Sequence, residues 1–375
     1  MSLYFNVSAC VRATSKFSDC TKCIDACPES IQLLENLPSF ANKTGVEAAA
    51  CIGVCPTEAF SLSDFSTTEF FFSFLDSKIR LISPKFNVPC ISVLSVEHLI
   101  SLALASDEPI TLDMSSYDEE SILYEQIDAR IEEANFVLSS FSEKRLETNS
   151  EKPETVEKKE PEEEVSSRRS FLGNASLKGV VKHKMTFDEA VEADELKAFK
   201  LDAITIAKIK EKNLPDKRKI LFTVLKHVDH PDAFEILAEE DVSFTSQKFV
   251  DDTCTNCQIC YRICPTGALS SDGKFSLIHF DAMLCVKCRL CHDVCEPDSI
   301  QLQAGFEIKE FFEPTQRTLA TFNIKRCNEC GNNFTYKGGE QACPRCMVEE
   351  EEAMFLHSNA LQMKADLETK SEDNN

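Results

Sequence analysis

The sequence has no tryptophan and is short of positive charge. Its 40 Lys and Arg stand against 63 Asp and Glu, a formal net charge of −23 over 375 residues. Phosphate backbones need a basic surface, so this balance argues against nucleic-acid binding. Much of the acid sits in a linker and tail. The remainder suits docking to basic patches on partners and equally suits plain solvation. A long apolar run is also missing. The best candidate, VPCISVLSVEHLISLALA at 88–105, is interrupted by Pro89, Glu97 and His98. It reads as a strand followed by a buried helix, so no membrane span is expected. The opening MSLYFNVSAC has no basic segment and meets Ser8 and Cys10 early. No secretory signal is expected, and the expected location is cytoplasmic. There is no G-x-G-x-x-G loop, P-loop or catalytic triad, so no catalytic residue is nominated.

What is present is sulfur. The nineteen cysteines fall in groups at 10–55, 254–295 and 327–346, with Cys90 apart and none from 91 to 253. Without a secretory signal, thiols at two- and three-residue spacings read as metal ligands rather than disulfides. Around them the chain divides. Residues 1–65 form a Cys-rich unit. Residues 66–145 read as a small α/β domain, with strands at KIRLIS and PITLDM and helices at SVEHLISLALA and in 118–141. An acidic linker covers 146–170, where EKPETVEKKEPEEEVSS is too polar to offset its ordering entropy. A helical segment covers 171–241, with a Thr186 cap and Pro215 between two helices. The second Cys-rich unit is 242–303, a small finger is 320–348, and an acidic tail is 349–375.

The second unit carries two matched repeats, Cys254-x2-Cys257-x2-Cys260-x3-Cys264-Pro265 and Cys285-x2-Cys288-x2-Cys291-x3-Cys295. Three thiolates on a tight loop can reach three iron corners of a cube while backbone N–H groups turn toward its sulfides. The region resembles a bacterial-type two-[4Fe–4S] ferredoxin domain, and covers roughly a sixth of the chain. The resemblance implies crossed ligation. Cys254, Cys257, Cys260 and Cys295 would hold one cluster, and Cys264, Cys285, Cys288 and Cys291 the other. Strand-like SQKFVDDTC and FSLIHFDAMLC enter the two loops. Glu296 stands where that family has proline, and a carboxylate there would lower the potential slightly.

The first unit looks like a degenerate copy. Cys20-x2-Cys23-x3-Cys27-Pro28 matches the last three thiols of a loop, with Phe17 where the first should stand. Cys10 follows the strand-like LYFNVSA and is the replacement candidate, with VRATSKFSD as an insertion. By the crossed rule, Cys10, Cys20, Cys23 and Cys55 would complete a third cluster. The opposite site keeps only Cys27 and Cys51, since Gly45 and Ala48 occupy the other thiol positions, and it is expected empty. A partial second cluster that draws on Cys90, and no cluster at all, stay open beside this reading. For Cys90 itself a packing role is expected.

Cys327-x2-Cys330 and Cys343-x2-Cys346 resemble a zinc ribbon, which implies one structural Zn²⁺. Iron would also fit four thiolates. Arg168-Arg169, in SSRRSFLGNASLKG, resembles an export motif but lies in mid-chain without an apolar segment. The expected fold class is α+β and multidomain, with ferredoxin-type (βαβ)2 cluster domains, a small α/β segment and a zinc-ribbon-like finger. The expected function is single-electron transfer through [4Fe–4S] clusters to or from an anaerobic redox enzyme. By analogy, formate dehydrogenases, hydrogenases and anaerobic reductases are such partners. The alternative is an assembly, maturation or docking factor for a redox enzyme.

Overall fold

In the computed structural model, residues 2–40, 49–150 and 212–372 are described. Gly45, Ala48, the linker from 151, the Arg168-Arg169 pair and the helical segment up to 211 lie outside the described residues. The architecture is mixed α+β.

The N-terminal unit runs β1 (Leu3–Phe5), α1 (Val11–Thr14), α2 (Lys22–Ala26), β2 (Ile31–Leu34), β3 (Leu37–Phe40), α3 (Ala50–Val54) and β4 (Phe60–Leu62). The outer strands β1 and β4 pair antiparallel, as do the inner strands β2 and β3. The inner hairpin turns on Glu35 and Asn36, both left-handed, the two-residue geometry that follows strand twist. Phe5, Phe40 and Phe60 fill the space between the pairs, with the Phe5 and Phe60 rings stacked at 5.0 Å.

The α/β segment follows with α4 (Thr67–Asp76), β5 (Leu81–Ile82), α5 (Val96–Ala105), β6 (Ile110–Asp113), α6 (Ile122–Ser139) and β7 (Leu146–Asn149). Its three strands are parallel in the order β5-β6-β7. Parallel pairs need crossovers, which α5 and α6 supply. Ser95 and His98 close a capping box at the start of α5, which is buried along nearly all its length. β7 corrects the expected linker boundary. Residues 146–149 pair with β6 and bury Leu146 instead of beginning the acidic spacer.

The C-terminal part runs α7 (Asp216–Leu225), β8 (Ile236–Ala238), β9 (Lys248–Val250), α8 (Ile259–Ile263), β10 (Leu269–Ser270), β11 (Leu277–Asp281), α9 (Leu290–Asp293), β12 (Ile300–Leu302), β13 (Gly305–Glu307), α10 (Lys309–Phe312), β14 (Gln316–Thr321), β15 (Ile324–Arg326), β16 (Asn333–Thr335) and α11 (Pro344–Glu372). The pairing of the N-terminal unit recurs. β9 and β12 form the outer pair, and β10 and β11 form the inner one. Two additions were not expected. β14 joins β11 as a third strand, and β8 pairs with β13, placing a strand inside the segment read as helical. The tail read as polar and acidic continues from the finger as α11, because its Glu, Ala, Leu, Met, Gln and Lys are strong helix formers.

The N-terminal unit keeps a small buried cluster of its own, built on Ile31, Ala50, Ala59, Phe60 and its cysteines. A larger buried apolar cluster extends from Ala49 through the α/β helices to Phe311. Helix α7 sits at the junction. Glu58 of the N-terminal unit accepts its Asp216 and Lys217 N–H groups at 2.6 and 3.1 Å, satisfying helix-end donors. Arg218 donates to Glu97 on α5 and to the carbonyls of Met283 and Phe244.

Candidate iron–sulfur and zinc centres

In the C-terminal unit the loops impose the geometry. The residues flanking the second thiol of each loop are left-handed, namely Asn256 and Gln258 around Cys257, and Lys287 and Arg289 around Cys288. These sparsely populated conformations coil each loop around its thiols and persist only where the surroundings hold them. Asn256 is tied down by donating to the Phe275 carbonyl at 2.8 Å. The last thiol of each repeat leaves a short helix.

Cys254, Cys257, Cys260 and Cys295 line one recess. Cys257 is exposed and Cys260 buried. Burial pushes Cys260 up to about 12, and the sulfurs of Cys291, Cys257 and Cys254 add to the shift. Cys264, Cys285, Cys288 and Cys291 form the second quartet. Burial holds Cys288 well above the ordinary thiol range, reinforced by Cys264, Cys291 and Cys285. Cys291 rises to about 12 by burial, although Lys248 opposes it. Lys248 is itself buried and lies 2.8 Å from His292 Nε2. Burial, then Lys248 and Arg289, pushes His292 down to about 3. The two sets adjoin, since Cys291 is near enough to Cys260 to raise it.

In the N-terminal unit Cys10, Cys20, Cys23 and Cys55 come together. Burial pushes Cys23 up to about 12, and Cys20, Cys55 and Cys10 add to it. Cys20 is raised by burial too, with Cys55 and Cys10 contributing. The insertion is absorbed by α1, for which Cys10 is the cap residue, and by a turn held by Arg12, whose Nε donates to the Cys20 carbonyl at 2.7 Å. This loop is built differently from the C-terminal ones, since no left-handed residue flanks Cys20 or Cys23. Its exit turn is the same. Glu58, Gly267 and Asp298 are each left-handed three residues after Cys55, Cys264 and Cys295. The next residue's N–H reaches back to sulfur at 3.3 Å in Ala59 to Cys55 and in Ser299 to Cys295.

Cys27 and Cys51 face each other and share a hydrogen bond. A hydrogen bond from Cys51 holds Cys27 below the usual thiol range, against burial, and the same bond with burial raises Cys51. Cys90 is packed in the large core, 2.9 Å from Ser92 Oγ, and accepts from Tyr117 Oη at 3.3 Å.

The finger gathers its four thiols more tightly. The Sγ atoms of Cys327, Cys330, Cys343 and Cys346 lie within 4.8 Å of one another. Cys330 and Cys343 are 3.7 Å apart, close to the ~3.8 Å that four thiolates adopt around one tetrahedral Zn²⁺ with bonds of ~2.3 Å. Backbone N–H groups of Cys330, Cys343 and Glu329 draw Cys327 down to about 6. The knuckle needs Gly331 at φ +74°, where an added Cβ would meet the Arg326 guanidinium. A single ion therefore fits this site. The looser groups suit a larger cationic core, because the raised Cys20, Cys23, Cys260, Cys288 and Cys291 would ionise only with positive charge placed among them.

Sequence reading missed the cations beside these sites. Lys217 Nζ donates to the Cys55 carbonyl at 2.7 Å and lies 3.3 Å from Glu97. Its sequence neighbourhood contains no cysteine, so only tertiary packing reveals it.

Residues 248–270 match the family profile of the 4Fe-4S binding domain. No curated protein matches the chain. The matched segment holds Cys254, Cys257, Cys260 and Cys264, so the chain carries a ferredoxin-like iron–sulfur segment, which supports an electron-transfer role. Among the described residues, no helix is long and apolar enough to cross a membrane.

Proposed function

We propose that this protein is a cytoplasmic electron carrier with three [4Fe–4S] clusters and one structural zinc. Cys254, Cys257, Cys260 and Cys295 hold one cluster. Cys264, Cys285, Cys288 and Cys291 hold the second, and Cys10, Cys20, Cys23 and Cys55 the third. Cys327, Cys330, Cys343 and Cys346 hold zinc. When bound, such clusters supply one-electron chemistry, and the chain supplies ligands, shielding and nearby charge. The reading is supported by the two matched left-handed loops, by the recess that Cys295 shares with Cys254, Cys257 and Cys260, and by the profile match over 248–270. Its partner is a redox enzyme of the formate dehydrogenase, hydrogenase or anaerobic reductase kind.

Anaerobically purified protein should contain about twelve iron, twelve sulfide and one zinc per chain. About eight iron would remove the N-terminal cluster. About sixteen would fill the site assigned here to the Cys27–Cys51 thiol pair. A second reading, a maturation or docking factor for a redox enzyme, draws on α11, whose Met354, Phe355 and Leu356 are exposed. It requires partner binding that survives loss of the clusters, which capture from anaerobic cells with iron-free variants would reveal.

A further inference from the structure

The two ferredoxin-like units meet at a seam, and the seam joins two particular thiol quartets. The Asp19 N–H, next to Cys20, donates to Asp293 Oδ2 at 2.9 Å. Asp293 ends α9, the helix that carries Cys291. Lys22 Nζ, two residues beyond Cys20, crosses to the Ser243 carbonyl at 3.2 Å. The Ser243 N–H is held by Glu133 Oε1 at 2.6 Å. Lys287, between Cys285 and Cys288, donates to the carbonyls of Glu239 and Val242 on the same stretch. Lys22 and Lys287 thus both end on the 239–243 stretch, which ties the Cys20 loop to the Cys288 loop. Lys287 is paired with Glu239 at 2.7 Å, and Asp293 and Glu133 lie at the same seam, which leaves Lys22 as the cation that crosses it from the N-terminal unit.

We propose that Lys22 is the positioning residue of a direct electron-transfer contact between the N-terminal quartet and the Cys264, Cys285, Cys288, Cys291 quartet. This rests on the cluster reading above. Two thiolate-ligated centres repel each other, and each added electron sharpens that repulsion. A cation between them favours the reduced form of both and lets them lie close, where tunnelling is fast. Exchange across the seam moves one electron from one side to the other, with no bond made and no proton transferred. The quartet containing the exposed Cys257 then stands at the far end from the N-terminal quartet.

The test is an EPR-monitored redox titration of the full-length, iron-loaded protein, with signals assigned by Cys10→Ser, Cys257→Ser and Cys288→Ser. Lys22→Gln should shift the midpoints of the N-terminal and Cys288 centres together to more negative values and leave the Cys257 centre in place. Lys22→Arg should restore both. Asp293→Asn, which removes an anion from the same seam, should move the same two midpoints the other way, and it keeps the test open if Lys22→Gln loads iron poorly. A shift confined to one centre, or Lys22→Arg shifting as far as Lys22→Gln, overturns the proposal. Absence of iron in the wild-type protein would defeat the cluster reading itself, a separate result.

Discussion

Arg218 Nε lies 2.7 Å from Glu97 Oε1, and the two side chains are 0% and 1% exposed. The pair joins α7 to α5, and the remaining guanidinium nitrogens bind the Met283 and Phe244 carbonyls. Removing one member of such a pair strands the other in the core. Glu97→Leu should cost about 3–5 kcal/mol in anaerobic urea unfolding. Glu97→Leu with Arg218→Met should cost less than the two single changes summed. Strict additivity would show that the pair does not act as a unit.

His98 is held neutral beside that pair. Burial, with Lys217 adding, pushes it down to about 4, although Glu97 opposes the shift. Its unfolded value is about 6.5, so between those limits the unfolded chain binds the proton and the folded chain does not. Stability should therefore fall as pH drops from about 6.5 toward about 4, by on the order of 3 kcal/mol, and this contribution should be flat above the window. His98→Gln keeps a capping-box residue and should flatten the slope. Urea midpoints at about pH 7 and about pH 5 for both proteins measure it.

Cys10 and Cys27 should behave oppositely. Cys10→Ser should remove about four iron per chain, because it breaks the N-terminal quartet. Cys27→Ser should leave the iron count unchanged, since its neighbour is the Cys51 thiol. Iron and sulfide analysis of both variants decides, and equal losses would redraw the site.

Cys330→Ser should release one metal ion and leave iron unaltered if the finger holds zinc. Hydrogen exchange should quicken in β15 and β16, while β9 and β12 keep their protection. Loss of iron with that substitution would make the finger an electron carrier instead.

Gly53 leaves no room for a side chain. A Cβ there would lie 2.3 Å from the Ser92 carbonyl and 2.6 Å from Arg130 Nη1. Gly53→Ala should cost about 1–3 kcal/mol by forcing α3 away from the loop after Cys90. Thermal unfolding under anaerobic conditions measures it.

The cysteine pattern was legible because cluster loops are local. Spacings of two and three residues place Cys254, Cys257 and Cys260 on one loop whatever lies around it. That Cys10 lies near Cys20 and Cys23 was reachable by comparison with the intact repeat, although the different build of its loop was not. What escaped is non-local. Arg218 and Glu97 are 121 positions apart, and no periodicity links them. β7 was hidden because Leu146 alone marks its buried face beside charged Glu147 and Arg145. β14 was hidden because its partner β11 already had one neighbour in sequence. The long C-terminal helix was obscured by its acidic start, where charge suggested solvation and helix propensity decided the backbone.

Two of the finger's thiols stand at the root of α11. Cys343 precedes its first residue and Cys346 lies in its first turn, while Cys327 and Cys330 lie in the turn between β15 and β16. An ion at that knot would act as the rivet of a signpost. It would set the bearing of an arm 29 residues long whose Met347, Phe355 and Leu361 face water. A chelator would then leave the arm's helical content largely intact while freeing it to swing, turning a fixed pointer into a pendulum.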